Sequence, residues 1–72
     1  MEFDFSKLLG RIIEKFGTRT AFATAMGLAD SALSNRLNGK THFSADEIYL
    51  ACQLLDIEAA EIPTYFFTPM VR

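Results

Sequence analysis

The residues with most to offer chemically lie in the run DSALSNRLNGK, residues 30–40. Around Leu33 and Leu37 it carries Asp30, Ser31, Ser34, Asn35, Arg36, Asn38 and Lys40. Hydroxyl and amide side chains both donate and accept hydrogen bonds, whereas guanidinium and ammonium groups only donate. Such a set is suited to recognition. Asn bonds an adenine edge in bidentate fashion, Ser serves several bases, and Arg or Lys neutralises phosphate. Reactive constellations are missing from the sequence. His42 is the single histidine and Cys52 the single cysteine; no Ser–His–acid arrangement is recognisable around the one, and the two together cannot build a four-ligand zinc site. There is no glycine-rich phosphate loop and no cofactor fingerprint. Asp46 and Glu47 are adjacent, but their place at a helix start explains them. The expectation is a binding protein, not an enzyme, with no metal, cofactor or small-molecule substrate.

The length of 72 residues suits one domain, and half of the residues are hydrophobic, enough for one compact core. A lone Cys52 forms no intramolecular disulfide and reads as a small buried hydrophobe, in keeping with a reducing compartment. No apolar run approaches the roughly 20 residues of a membrane span. The start, MEFDFSKLLG, lacks the basic segment and cleavage site of a signal peptide. A soluble, cytoplasmic protein without a membrane partner is expected. Net charge is −2, but its distribution is uneven. Residues 5–43 hold six basic side chains (Lys7, Arg11, Lys15, Arg19, Arg36, Lys40) against two acidic ones, Glu14 and Asp30. Residues 44–72 hold Asp46, Glu47, Asp56, Glu58 and Glu61 against Arg72. That asymmetry suggests a face for anions on the first half, with ordinary solvated charge as the plainer alternative.

The elements that would position these groups follow from periodicity. Phe5, Leu8, Leu9, Ile12, Ile13 and Phe16 mark one face of a helix that Asp4 could cap and Gly17 could close. Gly10 inside it would let another helix approach closely. Thr18 is a candidate N-cap for a slim, alanine-rich helix ending at Gly27, with Phe22 and Met26 on its inner face. A third helix is predicted from Asp30 to Leu37, stopped by Asn38 and Gly39. Ser44 and Glu47 form a capping box for a fourth, flanked by a Phe43–Ile48 staple. A short fifth helix is expected over Glu58 to Ile62, broken by Pro63. The aromatic tail has no helical period. It is expected to be extended, folding back over the core, forming a subunit contact through Tyr65, Phe66 and Phe67, or doing both with opposite faces. The fold class is therefore all-α: about five short helices and a C-terminal tail, divided as residues 1–64 and 65–72.

A slim helix, a glycine-containing turn and a polar second helix fit a helix-turn-helix. In that unit the second helix enters the major groove. The stretch TRTAFATAMGLADSALSNRLNGKTHFSADEIYLACQLLDI resembles the Cro and C1 repressor family of phage, the lambda-repressor-like DNA-binding domains. The resemblance spans roughly residues 4–62, and EIPTYFF looks like the ends of short phage-borne members. It implies that Arg19 stands where a phosphate-bonding Gln often occurs, that Ala23 lies at the helix crossing, and that Gly27 makes the turn. It places Asp30, Ser31, Ser34 and Asn35 against bases or backbone, and Asn38, Gly39 and Lys40 in a phosphate-contacting loop.

The match has departures. Ala29 replaces the usual Ser or Thr cap, so Asp30 or Ser31 is expected to cap one residue later. Arg36 falls where a buried aliphatic is usual. Either the helix is rotated, or the Arg36 stem packs while its head reaches phosphate. The resemblance implies a sequence-specific repressor of phage or prophage origin, binding double-stranded DNA as a homodimer. The alternative is a protein-interaction module on the same scaffold, an antirepressor or antitoxin-like partner, using the acidic half and the exposed tail aromatics.

Overall fold

The computed structural model describes residues 2–71. Its elements are α1 (Ser6–Phe16), α2 (Arg19–Met26), α3 (Asp30–Leu37), α4 (Ala45–Leu55), a 3-10 turn (Ala59–Glu61) and α5 (Ile62–Phe66). The chain is an all-α bundle, as the periodicity predicts. Among the described residues the extended pairing is confined to one isolated antiparallel bridge, Phe3 with Pro69.

α1 buries the centre of the stripe that its sequence marks, with Leu8 and Ile12 fully enclosed and Ile13 left 45% exposed. Asp4 acts one residue ahead of the helix. Its Oδ1 accepts the Ser6 N–H at 2.8 Å, while Phe5 occupies the N-cap position. Gly17 takes φ +83°, and its N–H donates to the Ile13 carbonyl at 2.9 Å. The expected close helix approach at Gly10 does not occur, because a Cβ there would meet nothing within 4 Å.

Thr18 starts α2 by accepting the Ala21 N–H at 3.1 Å. This helix packs against α1, α3 and α4. Ala23, with no exposed surface, is small enough to leave room for its neighbours. Phe22 meets Phe16 edge to face at 5.4 Å between ring centres. Gly27 closes α2 in the left-handed region, and the turn leads through Leu28 and Ala29 into α3. Leu33 is 1% exposed and fixes α3 to the core. The predicted shift of its start does not happen. Ala29 holds the N-cap position with no side-chain cap, and Asp30 is the first helical residue.

Ser44 and Glu47 make the reciprocal capping box of α4: the Ser44 N–H donates to Glu47 at 2.9 Å and the Glu47 N–H to Ser44 at 3.1 Å. At the other end α1 supplies the cap. Arg11 donates from Nε to the Leu55 carbonyl at 2.8 Å and from Nη2 to the Asp56 carbonyl at 3.0 Å. Lys15 Nζ reaches the Asp56 carboxylate at 3.0 Å. Two cations thus meet the negative end of a helix dipole. Asp56 itself is left-handed, with φ +54°.

The last third departs most from expectation. Pro63 does not break a helix; it lies in the first turn of α5, where its missing N–H leaves no intrahelical bond unmade. Tyr65 and Phe66 are therefore helical, and the non-helical tail begins at Phe67, two residues later than predicted. From there the chain returns along the N-terminus: the Asp4 N–H donates to the Thr68 carbonyl at 2.8 Å and the Met70 N–H to the Glu2 carbonyl at 3.0 Å. Phe66 meets Phe43 at 5.4 Å and Phe67 meets Phe3 at 5.5 Å, both edge to face. Of the arrangements expected for the tail, it adopts the fold back over the core. Among the described residues, no helix is long and apolar enough to cross a membrane.

Candidate functional site

The structure gathers many of the recognition residues along one side of the α2–α3 unit. Arg19, Thr20, Asp30, Leu33 and Ser34 line a shallow depression of about 230 Å³. Ser31 is exposed beside it, while Ser34 and Asn35 are half-buried. Asn38 and Lys40 follow in the exposed loop, where Asn38 Nδ2 donates weakly to Ser34 Oγ at 3.4 Å. Asp30 lies in the first turn of α3, where the helix dipole favours its charge, and accepts a long hydrogen bond from the Thr20 hydroxyl at 3.4 Å.

Arg36 behaves differently from either expectation. Its head does not reach outward. Nε donates to Glu47 Oε1 at 2.9 Å and Nη2 to Glu47 Oε2 at 3.0 Å, a bidentate pair. Nη1 closes on the Ala32 carbonyl at 2.9 Å. The side chains of both partners are 20% exposed. The hydrogen bonds from Arg36 hold the Glu47 carboxyl below the usual carboxylate range, against the opposing effect of burial. Sequence reasoning missed this pair because Glu47 already had a role in the capping box. One carboxylate serves both purposes, with Oε1 accepting from Ser44 and from Arg36.

Charge on this face is consequently modest. Of the six cations counted in residues 5–43, Arg11, Lys15 and Arg36 are paired with Glu14, Asp56 and Glu47. Lys7 lies 5.7 Å from the Tyr65 ring centre. Arg19 and Lys40 remain on the α2–α3 side, with Asp30 between them in sequence. Beyond Phe43 the described chain has no Lys, Arg or His at all. Half of the cations behind the expected anion face are thus held in ion pairs, Arg36 among them.

Of the three aromatics expected at a subunit contact, only Phe67 is left open at the surface. Tyr65 is 7% and Phe66 2% exposed, so both are committed to the monomer core. Phe67 keeps 46% of its surface open. Cys52 is a half-buried free thiol, and desolvation pushes its pKa up. Among the described residues no cluster of His, Cys, Asp and Glu could hold a metal ion.

These features define a small helical protein with a helix-turn-helix whose polar helix is tied back to the bundle. Comparison with known proteins places it further. The chain belongs to the family described as "Protein of unknown function (DUF739)", which it matches over residues 1–69. It is similar along its whole length to the modulator of repression (MOR) of the temperate bacteriophage TP901-1 from Lactococcus lactis, known from a solution structure. The identity is 44%, the TM-score 0.82, and the alignment covers 100% of this chain and 97% of that one. No curated protein matches the sequence.

These findings overturn the resemblance to the Cro and C1 repressors, and with it the expectation of a DNA-binding Cro-type repressor. The order of capped helix, turn glycine and Asn-Gly-Lys loop reports a scaffold. What is displayed on a scaffold decides its function.

Proposed function

We propose that the protein is a phage modulator of repression that works by contact with a repressor protein, as a binding module without a chemical step. The observation that carries this reading is the 44% identity over the whole chain to a protein of that description. The charge distribution supports it. Arg36 is held by Glu47, and the second half of the described chain is anionic. A strong electrostatic attraction to phosphates, the main source of affinity for duplex DNA, is therefore lacking.

The test is a reporter driven from an operator that the repressor of the same phage genome shuts off. Co-expression of this chain is expected to change reporter output, and the two purified proteins are expected to co-elute on gel filtration. Unchanged output together with separate elution refutes the proposal.

A further inference from the structure

α4, the 3-10 turn and α5 enclose a groove of about 310 Å³ that the reading above has not used. Its walls are mainly apolar, with Ile48, Tyr49 and Cys52 from α4 and then Ile57, Ala59 and Ile62, and Gln53 is the one amide among them. Ile57 is 6% exposed and forms the buried part, whereas Tyr49 leaves 67% of its surface open. Tyr49 is the large aromatic on the outward face of α4 and is an anchor without a partner in the monomer.

The margin of the groove is anionic. Asp46 is three residues before Tyr49 and so lies on its side of α4. Glu58 and Glu61 are next in sequence to Ile57 and Ile62. All three are exposed, and none has a cationic partner: the salt bridges among the described residues involve Glu14, Asp56 and Glu47 instead.

We propose that this groove is the docking site for a lysine- or arginine-bearing amphipathic helix of the partner protein, an inference that rests on the protein-contact reading above. Three considerations select that occupant. The walls are helices whose backbone bonds are made internally, so no open edge invites an added strand. α4 has 11 residues and so is about 16 Å long, enough for the two turns over which i, i+3, i+4 and i+7 anchors recur. The three unpaired carboxylates complement cations flanking an apolar stripe. They would repel a second copy of the same surface, and equally a phosphate backbone.

The probe is a designed 18-residue amphipathic peptide with leucines on one face and lysines beside them, compared with a version carrying glutamates in place of the lysines. The lysine peptide is expected to shift the amide resonances of Ile48, Tyr49, Cys52, Ile57 and Ile62 in 15N-labelled protein, and the glutamate peptide to leave them unmoved. The variant Asp46→Asn/Glu58→Gln/Glu61→Gln keeps the hydrogen-bonding shape of the side chains. With an unchanged thermal transition it is expected to bind the lysine peptide at least tenfold more weakly. Shifts centred elsewhere, equal binding of both peptides, or full affinity in the neutralised variant overturns the proposal.

The phage repressor separates this inference from the functional reading. If Tyr49→Lys, folded as judged by circular dichroism, still co-elutes with the repressor, the groove is refuted and the reading stands. If the wild type fails to bind the repressor while the lysine peptide seats in the groove, the functional reading fails and the docking site stands.

Discussion

Glu47→Ala removes more than its position on a surface helix suggests. The carboxylate accepts from the Ser44 N–H at 2.9 Å and from Arg36 at 2.9 and 3.0 Å. Losing half of a capping box costs about 1 kcal/mol. Deleting one partner of an ion pair costs about 0–1 kcal/mol at an exposed site and about 3–5 kcal/mol at a buried one. With 20% of each side chain open to solvent, the pair falls between these limits, at about 2 kcal/mol. The expected loss is therefore about 3 kcal/mol, or a fall in Tm of roughly 12–24 °C for a domain of this size.

Urea and thermal unfolding followed by circular dichroism read the change. Glu47→Gln still accepts from Ser44 and should lose only the ionic part. A cycle of Arg36→Met, Glu47→Gln and the double variant isolates the coupling, expected at about 1 kcal/mol or more. Acid supplies a second check. The folded state holds the Glu47 carboxyl below its ordinary range, so its contribution is complete above that range and is lost as pH falls through the folded value. The gap between wild type and Glu47→Gln is expected to begin narrowing near the ordinary glutamate value of about 4.3 and to close only below the lower folded value. A coupling under about 0.5 kcal/mol, with a gap that ignores pH, would refute the assignment of this pair as a clamp between α3 and α4.

Three further outcomes can be measured on the same protein. Gly10→Ala is expected to stabilise by about 1 kcal/mol in urea melts, because Gly10 is mid-helix, exposed and clear of neighbours. Phe66→Ala is expected to lose about 3–5 kcal/mol and leave the chain largely unfolded, whereas Phe67→Ala, at a half-open site, stays folded in the same thermal scan. Cys52 is expected to react with iodoacetamide more slowly at pH 7.5 than an unstructured peptide cysteine, because burial raises the thiol and thins the thiolate population.

Local signals were the legible part of the sequence. The α1 stripe, the Thr18 cap, the positive-φ turns at Gly17 and Gly27, and the Ser44–Glu47 box each depend on residues within one or two turns of each other, and each is present. The failures share a different physics. Arg36 meets Glu47 across 11 positions, and Arg11 meets Leu55 across 44. Neither contact is written in any periodicity. Arg11, one of the six cations behind the expected anion face, is instead the cap of a distant helix. Pro63 was read as a terminator because proline interrupts helices, but the first turn has no donor to lose there. The aromatic tail carried no helical period because α5 has only 5 residues, too few to show one. The scaffold was thus readable from spacing, while its role was not: the same turn chemistry supports proteins that display quite different surfaces.

The pairing of Phe3 with Pro69 also has a bearing on engineering. Because the chain around residues 3 and 69 already runs side by side, a short link from Glu2 to Val71 could close a ring without moving the helices. For a loop of about 70 residues such closure removes disorder from the unfolded chain worth about 4 kcal/mol, so a cyclised form would withstand heating that melts the linear one. The same neighbourhood puts Glu2 and Met70 at one shared corner, next to the Phe3–Phe67 aromatic pair.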